Sequence, residues 1–210
     1  MSTTEIPEPA QPRRRLSRED RQRQLLDMAC QLIREEGTDA LTLGYLAEKA
    51  GVTKPVVYDH FTTRAGLLAA LYQDFDRRQT ALMDAALANA EATLNGIATV
   101  IATAYVDCVL TQGNEIPGVI AALASTPELE KIKREYEAIF LEKCRNVLSP
   151  FADGAEIGQA GLRAMLGAAE ALSQAAATDE ISAEQARDEL LATIIAMVER
   201  AAARATQAGD

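Results

Sequence analysis

Residues 53 to 61 read TKPVVYDHF and hold the single histidine of the 210-residue chain, His60, beside Asp59 and between Tyr58 and Phe61. An imidazole next to a carboxylate is a pairing used in acid/base catalysis and metal ligation. Both uses need further partners. No second histidine exists, and Cys30, Cys108 and Cys144 lie far apart with no CxxC spacing, so neither a zinc site nor a disulfide framework is expected. One titratable group carries little mechanism, and no metal, cofactor or enzymatic activity is expected. What the segment does offer is hydrogen-bond donors: hydroxyls, an ammonium and an imidazole gathered on a short stretch, suited to phosphate oxygens and base edges.

The flanking sequence supplies elements to aim those donors. Ser17 and Asp20 resemble a capping box, and Leu25, Leu26, Ala29, Leu32 and Ile33 repeat at helical spacing up to Gly37, so 17–36 reads as an amphipathic helix. Thr42 caps a second, short helix with Leu43, Leu46, Ala47 and Ala50 inward, and Gly51 allows the left-handed turn that ends it. Thr53 is expected to cap a third, with Pro55 in its first turn, where the missing N–H costs nothing, and Val57, Tyr58 and Phe61 inward or half-inward. Two short helices joined by a tight turn behind a longer one make a helix-turn-helix, whose second short helix enters the major groove. On that geometry Lys54 suits guanine or phosphate, Pro55 and Val56 suit thymine methyls, and Thr42, Thr53, Tyr58 and Arg64 suit phosphate oxygens. His60 is either a further phosphate donor or a surface imidazole.

Net charge is −10, which at first opposes a nucleic-acid partner. The charge is unevenly spread. Residues 1–64 carry ten Lys/Arg and ten Asp/Glu, leaving eleven against twenty-one for 65–210. Arg13, Arg14, Arg15, Arg18, Arg21 and Arg23 face only Glu19 and Asp20, a basic cluster on an otherwise acidic chain. The first sixteen residues, with three prolines and no apolar pattern, are expected to be a disordered basic arm. The start has no apolar signal core, and IATVIATAYVDCVL (97–110) reads as too short and too interrupted to span a bilayer, so a cytoplasmic protein without a membrane partner is expected.

The stretch from Arg23 to Leu71, containing TLGYLAEKAGVTKPVVYDHFTTRAGLL, resembles the DNA-binding region of the TetR family of bacterial transcription regulators. There an amphipathic helix ends in Gly, T-x-x-x-[IL]-A-x-x-A-G-V follows, then Y-x-H-F and a capped fourth helix. The resemblance implies phosphate contacts by Thr42, Thr53, Tyr58, His60 and Arg64, and base reading by Lys54, Pro55 and Val56. Three positions depart from the pattern: Gly44 where a charge is common, Thr62 where a lysine is common, and Asp59, an acid near phosphates.

The expected fold is therefore all-α: a three-helix helix-turn-helix domain at 17–62, then a helical effector-binding and dimerisation domain at 63–210, about nine helices in all. The fourth helix runs from Thr63 past Leu82, and further helices are expected at 92–112, 115–124, 127–148, 156–177 and 183–206. Gly158, Gly161, Ala164, Ala168 and Ala171 form a small-residue face, and Leu190, Leu191, Ile194, Ile195, Met197 and Val198 an apolar one. The family resemblance implies a homodimer through these last two helices, a near-palindromic double-stranded DNA operator, and a cavity for a small-molecule effector that releases DNA, as in a repressor. Candidate lining residues are Tyr72, Phe75, Met83, Tyr105, Cys108, Tyr136, Phe140, Met165 and Leu166. Two other classes remain open: a thiol-based redox switch on the same frame, through Cys108 or Cys144, and an all-helical scaffold or enzyme, for which no polar constellation with sensible spacing is evident in the body.

Overall fold

The computed structural model describes residues 16–111, 119, 122 and 127–208. Among them are eight α-helices and no strand. The expected arm at 1–16 lies outside the described residues except for Leu16, and the expected helix at 115–124 does so except for Val119 and Ala122, both helical.

Helix α1 (Arg18–Glu36) starts where Ser17 Oγ accepts from the Asp20 amide at 3.0 Å and donates to the Asp20 carboxylate at 2.7 Å. It buries the five apolar positions of its 3.6-residue stripe and stops at Gly37, φ 83°. After a short 3₁₀ turn at Thr38–Ala40, α2 (Leu43–Lys49) is capped by Thr42, whose Oγ1 accepts from the Tyr45 amide at 3.1 Å. Gly51, φ 64°, turns the chain into α3 (Lys54–Phe61) through a conformation that penalises any β-carbon. Helix α4 (Arg64–Ala88) begins under a Thr63 cap, and a β-carbon on Gly66 would lie 2.2 Å from the Phe61 carbonyl oxygen, so glycine lets α4 pass close under the end of α3. At 1.5 Å per residue its 25 residues span about 37 Å, carrying one rigid element from the helix-turn-helix into the body.

The body consists of α5 (Leu94–Thr111), α6 (Pro127–Leu148), a 3₁₀ turn at Ser149–Phe151, α7 (Gln159–Ala177) and α8 (Ala183–Ala208). Two apolar cores result. One joins α1, α2, α3 and the first turns of α4, extending past residue 62 through Leu67, Leu68, Leu71 and Tyr72; Val119, Ile132 and Tyr136 of the body also pack on it. The other lies among α5, α6, α7 and α8, with Met83 reaching in from α4.

The expectation about 97–110 needs correction. Helix α5 is 18 residues long with mean hydropathy 1.5, long and apolar enough by length and composition to cross a membrane. Here it is an inner helix: Ala98, Ile101, Ala102 and Val106 are buried, α4, α6, α7 and α8 pack on it, and Asp107 accepts from Arg187 Nε of α8 at 2.9 Å. Four of its eighteen residues are buried and most of the others half-buried, so its apolar surface is covered in large part by neighbouring helices.

Candidate nucleic-acid interface and effector cavity

Helix α3 is pinned by two side chains, Val57 at 0% exposure and Phe61 at 4%, which leaves its other face outward. Thr53, Lys54 and Pro55 are exposed and Val56 is half-buried at its leading end. Tyr58 was expected to be inward or half-inward; it is 50% exposed, one position on from Val57 and so turned away from the core. Thr53 occupies the cap position, yet its hydroxyl makes no capping bond, contrary to expectation. Gly44 of α2 stands opposite Lys54: a β-carbon there would lie 3.6 Å from Lys54 Cε.

Asp59 does not present an unpaired charge. Arg18 holds its carboxylate at 3.1 Å and donates to its carbonyl at 3.3 Å, linking the start of α1 to α3. His60 packs its ring beside Phe61, centroids 5.9 Å apart; burial and the Arg18 charge lower its pKa, which favours the neutral imidazole with one N–H to donate. Arg64 is differently employed from a free phosphate donor. Its Nε donates to the Leu41 carbonyl at 2.8 Å and Nη2 to the Thr38 carbonyl at 2.7 Å, tying the first turn of α4 to the segment ahead of α2.

Behind this head a cavity of about 680 Å³ opens between α4, α5, α6 and α7. Eight of the nine expected residues line it: Tyr72, Phe75, Met83, Tyr105, Cys108, Tyr136, Phe140 and Leu166. Met165 does not; it is buried in the core of the body. Burial raises the Tyr72 and Tyr105 phenols, so both stay neutral, and the rings of Tyr105 and Phe140 stack at a tilt, 5.7 Å apart. A second cavity of about 270 Å³, beside α1, shares Asp76 and Tyr136 with the first.

The body also contains a polar constellation that spacing along the chain did not reveal. Lys133 bonds Glu137 at 2.8 Å and Glu170 at 3.4 Å, Arg163 bonds the other Glu137 oxygen at 2.7 Å, and Lys143 bonds Asp84 at 2.6 Å. Burial works against the Glu137 charge, but hydrogen bonds from Lys133 and Arg163 outweigh it and hold its carboxyl below the usual range. Asp76, Lys133, Glu137, Lys143 and Glu170 all face the cavity. Among the described residues, no group of three or more His, Cys, Asp or Glu side chains is placed to hold a metal ion.

In the last two helices, part of the expected pairing face is already used within the chain. A β-carbon on Gly161 would lie 3.1 Å from Met197 Cγ, so the small residue permits α7 to pack on α8. Leu190, Ile194, Met197 and Val198 are buried, whereas Leu191 and Ile195 are half-buried and Ala164 and Ala171 exposed.

The helix-turn-helix matches the family model of bacterial regulatory proteins, tetR family, over residues 25–71. The HTH-type transcriptional activator FasR of Mycolicibacterium smegmatis is 39% identical over 59 residues, which are 28% of this chain and 27% of that one. Among solved structures, a TetR-family transcriptional regulator from Rhodococcus sp. superposes with a TM-score of 0.71 at 21% identity, over 86% of this chain and 100% of that one. The fatty acid degradation regulator FadR from Bacillus halodurans gives 0.69 at 14% identity, over 83% and 94%. At those identities the superpositions establish a shared fold and nothing finer, the chain spans about a quarter of the curated relative it matches, and the family model identifies residues 25–71 as a helix-turn-helix of the kind found in bacterial regulatory proteins of the tetR family.

Proposed function

We propose that the chain is a ligand-released repressor that binds a near-palindromic operator as a homodimer. One observation supports the release mechanism above others: Tyr72 and Tyr136 belong at once to the cavity wall and to the core beneath the helix-turn-helix. A ligand that moves either ring acts on the packing that orients α3, and α4 carries the displacement as a rigid lever. The ligand must bind the DNA-incompetent arrangement more tightly than the competent one, since equal affinity shifts nothing.

On this reading residues 17–62, with the first turns of α4, form the DNA-binding unit, and the remainder forms the effector and pairing unit. Thr42, Thr53, Tyr58 and His60 serve phosphates; Lys54, Pro55 and Val56 serve base edges; Arg64 mainly positions α4. Leu191, Ile195 and Ala164 supply the pairing surface on α7 and α8, Ala171 lining the cavity instead, and the two α3 helices then meet half-sites about one helical turn apart or somewhat more. The FasR relative is an activator by name, and its match lies within a short segment, so the direction of regulation assigned here rests on the release mechanism alone. A thiol switch is disfavoured: burial pushes the Cys108 and Cys144 thiols up to about 12, far from a reactive thiolate.

The test is selection of bound fragments from random DNA, then a reporter carrying the consensus. A salt-sensitive dimer complex on a two-fold consensus that lowers reporter output supports the proposal. A monomeric complex, or raised output on binding, refutes the corresponding part.

A further inference from the structure

Among the described residues, the charges around the cavity are neutralised internally, with one exception. Lys133 and Arg163 are bonded to Glu137 and Glu170, and Lys143 to Asp84. Asp76, one turn along α4 from Tyr72, is half-buried against the cavity, and no hydrogen bond or ion pair among the described residues ends on its carboxylate. Lys143 acts on it only through space, and burial raises the Asp76 pKa. Its charge is felt close by: after burial, it is the next largest cause raising Tyr72 and Cys108, and it does the same at Tyr136. A carboxylate partly withdrawn from water with no bonded counter-ion among the described residues is an unfilled electrostatic demand.

We propose that the cavity binds an organic cation with an apolar, aromatic-compatible body, its charged centre beside Asp76 and its hydrocarbon against Tyr72, Phe75, Tyr105 and Phe140. The carboxylate supplies the counter-charge, the ring faces add cation–π attraction, and the apolar walls exclude the water that would screen both. An anion of the same shape meets a bare carboxylate and lysines that are already bonded. The assignment rests on the reading of this cavity as the effector site.

Tetraphenylphosphonium and tetraphenylborate, a cation and an anion of closely matched size and shape, provide the test on the DNA-free, full-length protein, by calorimetry. The phosphonium is expected to bind at least about tenfold more tightly than the borate, a modest demand on a charge pair in a screened pocket. Asp76→Asn should abolish that preference and Asp76→Glu should retain it, the second variant separating charge from folding. Equal or tighter borate binding, a preference indifferent to Asp76→Asn, or no binding of either ion overturns the proposal. Operator release is measured separately: phosphonium that binds selectively yet leaves the operator complex intact supports the charge selectivity and refutes the release mechanism instead.

Discussion

Tyr72 of α4 and Tyr136 of α6 meet edge to face, ring centroids 5.6 Å apart with planes at 85°, and both rings contact the cavity on one side and the core of the DNA-binding helices on the other. An aromatic pair in this geometry is worth about 0.5–1.5 kcal/mol beyond its buried area, so it is a modest brace in a sensitive place. Tyr136→Ala is expected to cost about 1–2 kcal/mol in urea melts and to reduce ligand-induced loss of operator affinity severalfold, with ligand-free affinity kept within about twofold. Unchanged ligand response would mean that coupling travels by another route.

Lys54 stands exposed at the leading end of α3. If it reads a base, Lys54→Ala lowers operator affinity by about 1–3 kcal/mol and relaxes preference at one base pair. A uniform loss across sequences, with a shallower salt dependence, would reassign it to a phosphate.

Arg64 donates to two backbone carbonyls ahead of α2. Losing a charged donor strands those acceptors, and Arg64→Ala should lower folding stability by about 2–3 kcal/mol while leaving the salt slope of DNA binding unchanged. Intact stability with a slope reduced by about one would restore it as a phosphate contact.

The thiols give a pH signature. In the folded chain Cys108 and Cys144 titrate near about 12 against 9.0 ordinarily, so between those values the native state holds protons that the unfolded state has released. Stability attributable to them is complete below about pH 9 and declines as pH rises toward 12. At pH 8 their thiolate fraction is on the order of one in ten thousand, so maleimide labelling of both should be slow in the folded protein and fast in urea. Rapid labelling of native Cys108 would revive the redox alternative.

The helices of the reading head were legible because each carries its own punctuation: Ser17, Thr42 and Thr63 as caps, Gly37 and Gly51 as stops, and one apolar stripe per helix. The aromatic wall of the cavity was legible for a related reason, since large rings on inward helix faces must meet somewhere. Met165 shares that pattern but lies among α5, α6 and α8, and periodicity cannot separate a core position from a cavity position on one inward face. Asp76, Lys133, Glu137 and Glu170 were not legible at all. They come from three helices, and only the packing of α4, α6 and α7 brings them to one place. The fate of Arg64 and the bare hydroxyl of Thr53 were equally hidden, because side-chain partners across a turn leave no trace in spacing.

The contact distance between a β-carbon at Gly44 and the Lys54 stem makes positions 44 and 54 a single packing unit. An alanine there would merely touch the lysine stem, whereas a branched or charged residue would compete with that stem for the same space and re-aim the ammonium. If Lys54 reads a base, a change in the supporting helix alone is enough to alter the preferred target, with every letter of α3 left intact.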